Sequence, residues 1–284
     1  MTTSIRTSGR WELFRALGAL AEKPHHAIAV SLGLGDGLAG ADHTDVFTFT
    51  APPYASVYLG AEGMLGGEAA ARVAGFWQAV GYAPPHPPDH LAALLGLYAT
   101  LGERESSAQG AESALLGQGR RALLWEHLLG WTGVFCDVIR DAGISPWDRW
   151  ADLVEEALTE VRDDQMADAG RLPRHLHEAP PPLDTSSQLR DLLIPVRAGI
   201  VITRADLARL ARRLGLGIRL SGRLPTLETL AGQSRRQVLH WLRDHANGWE
   251  RRHRARSGPA VIGRFWADRA ANTSAAVDAM LAEA

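Results

Sequence analysis

The chain has 284 residues, of which 46% are hydrophobic and 22% charged, with a formal net charge of −2. This is the balance of a globular chain long enough to bury a sizeable core, as one domain or two. Its single cysteine, Cys136, excludes an intramolecular disulfide and any Cys-x-x-Cys motif, and its single lysine, Lys23, excludes a Walker A phosphate loop and leaves a Schiff-base lysine only beside a proline.

Residues 9–22 read as an amphipathic helix ended by Pro24. His25 to Leu32 leads into a glycine cluster, Gly35-Asp36-Gly37-Leu38-Ala39-Gly40, which matches Gly-x-Gly-x-x-Gly. A dinucleotide site needs a strand before it and further strand–helix units after it, and the sequence turns helical instead. A glycine-rich loop after a helix is the better reading. Val46 to Val57 is β-branched and aromatic, is broken by Pro52-Pro53, and predicts an extended strap or edge strand. A loop over residues 60–67 and a helix from Glu68 to Val80 follow, the helix carrying Val73, Phe76, Trp77 and Val80 on one face.

After the proline-rich turn of residues 81–88, Leu91, Leu94, Leu95, Tyr98 and Leu101 recur at helical spacing. Residues 106–119 read as a polar, acidic and mobile spacer. Leu124, His127, Leu128, Trp131, Val134 and Phe135 then trace a second helical stripe. A helix is expected from about Trp147 to Val161. Pro173 and Pro180-Pro181-Pro182 mark a linker, beside which His175 and His177 read as surface residues. Beyond it, Thr203 predicts a helix cap and Gly215 a helix stop. Short and long helices are expected over 227–230 and 233–253, and a last one over 261–282. The fold class is therefore all-α: a helical body over 1–168, a proline-rich linker over 169–190 and a helical C-terminal part over 191–284.

Charge is unevenly shared. Residues 1–194 hold 14 Lys and Arg against 25 Asp and Glu, whereas residues 195–284 hold 16 against 7. An acidic body steers a cationic partner. The basic C-terminal part, with its helix from Thr203, resembles the start of a helix-turn-helix reader, but Gly217, Gly222 and Pro225 interrupt the place of the recognition helix. The aromatics Trp241, Trp249, Phe265 and Trp266 call for burial and favour a part docked on the body over a free nucleic-acid module.

Two acid–histidine pairs, Asp89-His90 and Glu126-His127, are the candidate polar sites. The plain reading makes Asp89 a carboxylate cap on the helix that follows and His127 a satisfied core residue. Carboxylate-bridged metal bundles use Glu-x-x-His on facing helices, and the match at Glu22-Lys23-Pro24-His25 is broken by a proline.

Three motifs give these pairs a context: Pro52-Pro53-Tyr54-Ala55-Ser56-Val57-Tyr58, Pro87-Pro88-Asp89-His90-Leu91 and Glu126-His127-Leu128-Leu129-Gly130-Trp131. In order and spacing they resemble the TorD/DmsD/NarJ family of cytoplasmic chaperones for molybdenum redox enzymes. The resemblance runs from Trp11 to Val161, with His86 where the family pattern Glu-Pro-x-Asp-His has glutamate. It implies a TorD-like helical bundle with an additional helical C-terminal part. It also implies a cytoplasmic chaperone that is not an enzyme, holds no cofactor or metal of its own, and acts as a monomer or homodimer without nucleic acid or stable membrane insertion. The implied partners are the apo catalytic subunit of a molybdenum oxidoreductase and its twin-arginine signal peptide. Tyr54, Tyr58, Phe76, Trp77, Pro88, Leu94, Tyr98 and Trp131 are the expected groove, with Asp89 and Glu126 as acceptors oriented by His90 and His127. Two rivals stand beside this reading. One is a helical metal enzyme ligated by Asp89, His90, Glu126 and His127; the other is a DNA-binding regulator using the basic part.

Overall fold

A computed structural model of the chain describes residues 2–35, 38–165, 170–217 and 222–283. The protein is all-α, and among these residues there is no strand, only an isolated antiparallel bridge between Tyr54 and His90. The chain divides into two compact units, residues 1–56 with 65–169, and residues 57–64 with 170–284.

The first unit is built on an antiparallel pair, α1 (Thr2–Glu22) and α6 (Leu91–Ser107). Their approach is close because glycines face the partner: a Cβ on Gly18 would lie 3.1 Å from Ala92 Cα, and one on Gly102 only 2.4 Å from the Trp11 ring. Between these points Phe14 meets Tyr98 edge to face at 4.8 Å. α2 (His26–Ser31), α3 (Gly40–Thr44) and α5 (Gly67–Ala79) are shorter. α7 (Gly110–Ala122) folds back on α6, with Ser113 Oγ donating to the Glu105 carbonyl. α8 (Thr132–Ala142) and α9 (Trp147–Gln165) close the unit through Arg140, which reaches Asp137, Asp152 and Glu155. Trp147 and Trp150 of α9 are fully buried beside Phe47, and Trp150 Nε1 donates to the Leu17 carbonyl.

Several expectations change in this unit. The predicted strap over Val46–Val57 is helical for most of its length: a wide π-turn spans Asp45–Thr50, marked by Ala51 N donating to Val46 O five residues back, and α4 (Ala55–Leu59) follows. Only the Pro52–Tyr54 corner is extended. Residues 106–119 form the α6–α7 turn and most of α7 rather than a mobile spacer. The second helical stripe is not one helix. It is a π-turn over Leu123–Leu128, a break at Leu129–Trp131 and then α8. The segment before the glycine cluster is α2, so the strand of a dinucleotide fold is absent there; Asp36 and Gly37 lie outside the described residues.

In the second unit, α13 (Arg223–Ala255) and α14 (Ala260–Ala282) form the main pair. The two helices expected at 227–230 and 233–253 are present as the two arms of α13, which meet at a kink where Ser234 has non-helical φ −149° and ψ 54°. Pro225 is no breaker, because it occupies the first turn, where its missing N–H is not needed. Residues 218–221, between Gly217 and Gly222, lie outside the described residues, as does residue 169, the first of the linker drawn over 169–190. α10 (Arg174–His177) sits within that linker and buries His175, correcting its reading as a surface residue; His177 is exposed. A short turn over Asp191–Leu193 and α11 (Pro195–Ala198) lead, through the left-handed Gly199, to a buried extended stretch, residues 200–203.

Such a stretch must satisfy its carbonyls without a ladder. Side chains do it: Thr273 donates to Ala198 O, His253 to Gly199 O and Arg223 to Ile202 O, and His245 Nε2 lies 2.9 Å from Val201 O. α12 (Arg204–Arg213) then starts with a full capping box, Thr203 and Asp206 each binding the other's backbone N–H, and ends at Gly215 with φ +67°.

Candidate functional site

The Pro52–Tyr54 corner is fastened to the start of α6 by two backbone bonds, Ala55 N to Asp89 O and Leu91 N to Pro53 O. This pairing brings the Tyr54 ring edge-on to His90 at 4.9 Å. Asp89 does not cap α6. That role falls to His90, whose Nδ1 accepts from Ala92 N at 3.0 Å. The Asp89 carboxylate turns the other way and caps the first turn of α4, Oδ2 accepting from Ser56 N at 2.8 Å. Asp89 is fully buried, and its Oδ1 has no hydrogen-bond partner among the described residues.

Burial is the main influence on the titration of this corner. It holds the His90 imidazole below its usual pKa, with Glu22 and Asp89 pulling the other way, and it raises the Tyr54 phenol, helped by the same two carboxylates. His90 is therefore neutral at pH 7, with the proton on Nε2 because Nδ1 accepts a bond. Glu22 and His43 both act on His90. Neither was marked as a site residue from sequence, because they arrive from the end of α1 and from α3, and no spacing rule joins them to Asp89-His90.

α5 ties this corner to the second pair. Trp77 Nε1 donates to the Pro88 carbonyl at 3.1 Å, and the neighbouring Phe76 ring lies 4.7 Å from that of His127. His127 and Glu126 stand on the π-turn, whose Leu129 N to Leu124 O bond widens the helix by one residue. His127 is buried and its pKa is pushed down to about 4, chiefly by desolvation and then by Arg72. Its backbone carbonyl accepts from Trp131 Nε1. Among the described residues no group of three or more His, Cys, Asp and Glu side chains is arranged to hold a metal ion, so the shared-ligand reading of the two pairs gains no support.

Residues 39–137 match the family model described as Nitrate reductase delta subunit. That match supports the TorD/DmsD/NarJ family. A delta-type region points to a chaperone of molybdoenzyme maturation. The matched span contains Tyr54 to Trp131 and so every residue put forward for the site. No curated protein matches the chain. Among the described residues no single helix is long and apolar enough to cross a membrane.

Within the delta-type region the candidate residues separate into two depths. Tyr54, Phe76, Trp77, Pro88, His90 and Glu126 are half-buried and reach the surface. Leu94, Tyr98 and Trp131 are fully enclosed, so they support that surface from the core and do not line an open groove. The same correction applies to Asp89, which acts from beneath. Tyr58 is buried too and belongs to the second unit.

Proposed function

We propose that the protein is a cytoplasmic maturation chaperone without catalytic activity of its own. It binds the apo catalytic subunit of a molybdenum oxidoreductase, and the twin-arginine signal peptide of that subunit, while the cofactor is inserted. The observation that carries this reading is the delta-subunit match over a span holding both acid–histidine pairs and the rings around them. The chemistry suits such a client. Half-buried rings at Tyr54, Phe76 and Trp77 offer apolar area to the hydrophobic stretch of a signal peptide, and Glu22 and Glu126 offer acceptors for its arginines. Asp89 fixes the corner that carries Tyr54. A chaperone that binds only the immature client delays its folding and export by mass action.

The test is calorimetry with a twin-arginine signal peptide from a molybdenum oxidoreductase of the same organism. Phe76→Ala and His90→Ala should each weaken binding by about tenfold, a loss of roughly 1.4 kcal/mol, with the helical circular dichroism unchanged. Unchanged affinity in both folded variants, or no binding by the native protein, would reject the assignment.

A further inference from the structure

Arg269, on α14, is 9% exposed, and among the described residues no carboxylate pairs with it. Its Nη1 donates to the carbonyl of Pro180, and its guanidinium lies 4.5 Å from the centre of the Phe265 ring. A second guanidinium is near. Arg197, on α11, binds Asp191 through Nη1 at 2.8 Å, while its Nε is buried with no hydrogen-bond partner among the described residues. The two helices cannot move apart cheaply here. Gly199, at φ +69°, packs so closely that a Cβ would lie 2.3 Å from Ala270 N and 2.7 Å from the Arg269 carbonyl carbon, and Thr273 Oγ1 donates to Ala198 O at 2.6 Å.

Two cations that act on each other thus share one acid, Asp191, which pairs with Arg197. An enclosed cation without a counter-ion is costly, and proteins tolerate it where an anion arrives to complete the pair. Burial and the neighbouring Arg197 lower the Arg269 pKa to about 10, which leaves it charged at pH 7. With Nη1 of Arg197 committed to Asp191, the Nε side remains, and in Arg269 the nitrogens other than Nη1 remain. Two guanidinium forks suit a tetrahedral oxyanion, which can present a pair of oxygens to each, better than a planar carboxylate, which has one pair to offer.

We infer that Arg197 and Arg269 form a binding site in the second unit for a phosphoryl oxyanion, taken either as free phosphate or as the terminal group of a phosphomonoester. This site is separate from the client-binding residues and does not depend on that reading. Because Arg269 also holds the Pro180 carbonyl, an occupant would be read by the proline run as well as by α11 and α14.

The experiment is titration calorimetry of the full chain with inorganic phosphate and, separately, phenyl phosphate, in chloride buffer of constant ionic strength. Saturable binding at one site per chain is expected, weakened at least about tenfold by Arg269→Met and by Arg197→Gln, and unaffected by Arg213→Gln on the exposed face of α12. Binding of both probes assigns a terminal phosphoryl group, and binding of phosphate alone a free-ion site; either supports the inference. The inference is overturned if neither probe binds, or if binding is equal in the native protein and the Arg269 and Arg197 variants, the mark of an adventitious ion only. Should Arg269→Met fail to fold, Arg197→Gln decides the question by the same readout.

Discussion

Acid should loosen the second unit through His253. This residue of α13 is 1% exposed, with its ring between those of Trp249 at 5.3 Å and Trp266 at 5.9 Å. Its Nε2 donates to Gly199 O at 2.9 Å, which leaves Nδ1 to accept from Arg256 Nη2 at 3.4 Å. A proton added to Nδ1 would be desolvated and would meet that guanidinium, with Arg252 also near, and the pKa is pushed down to about 3. The unfolded imidazole titrates near 6.5. The folded value is depressed, so the contribution to stability is complete above about pH 6.5 and is lost as the pH falls towards 3, at about 1.4 kcal/mol per pH unit. At pH 5 the second unit should have lost roughly 2 kcal/mol from this residue alone. His253→Gln keeps an N–H for Gly199 O but does not titrate. It should cost roughly 1–3 kcal/mol at pH 7.5 through lost packing, and it should flatten the dependence below pH 6.5. Hydrogen exchange of amides in residues 236–253, corrected for intrinsic rates and followed from pH 7.5 to 5.0, reads this locally. Protection that changes by less than about 0.5 kcal/mol over that acid range, or an equal slope in His253→Gln, would refute the reasoning.

Three substitutions probe the packing. Gly199→Ala places a Cβ against Ala270 N at a positive φ and should destabilise the second unit by more than about 2 kcal/mol in denaturant melts; a loss under 1 would mean that the backbone shifts easily. Gly102→Ala drives a methyl into the Trp11 ring and should cost about 1–3 kcal/mol, with much of it recovered in the double variant with Trp11→Leu, a rescue that thermal unfolding would show or deny. Thr203→Ala removes one half of the α12 capping box and should cost about 1 kcal/mol, seen as faster exchange of the amides of Ala205 and Asp206.

The parts of the protein that were legible in its sequence are those governed by interactions within a turn or two of chain. Apolar residues at helical spacing gave α1, α6, α9 and α14. Thr203 three residues before Asp206, with Gly215 beyond, gave both ends of α12. The short motifs around Tyr54, Asp89-His90 and Glu126-His127 carried the resemblance, and they lie within the span that matches the delta-subunit model. Tertiary packing decided the rest. Val46 and Phe47 have the side chains of a strand, yet their burial, Phe47 against Trp147 and Trp150, goes with a π-turn, and a strand preference of this kind is weak against such contacts. Residues 106–119 look like a spacer, and from Gly110 onward they are helical along α6. Asp89 stands where a cap for the next helix belongs, but its carboxylate serves Ser56, thirty-three residues earlier. Arg197 and Arg269 are unremarkable in sequence, and it is the fold, with Gly199 packed on α14, that lets one act on the other. The division has one physical origin. Periodicity and capping are satisfied by near neighbours in the chain, whereas the partner of a buried polar atom is whatever segment the completed fold brings within three ångströms of it.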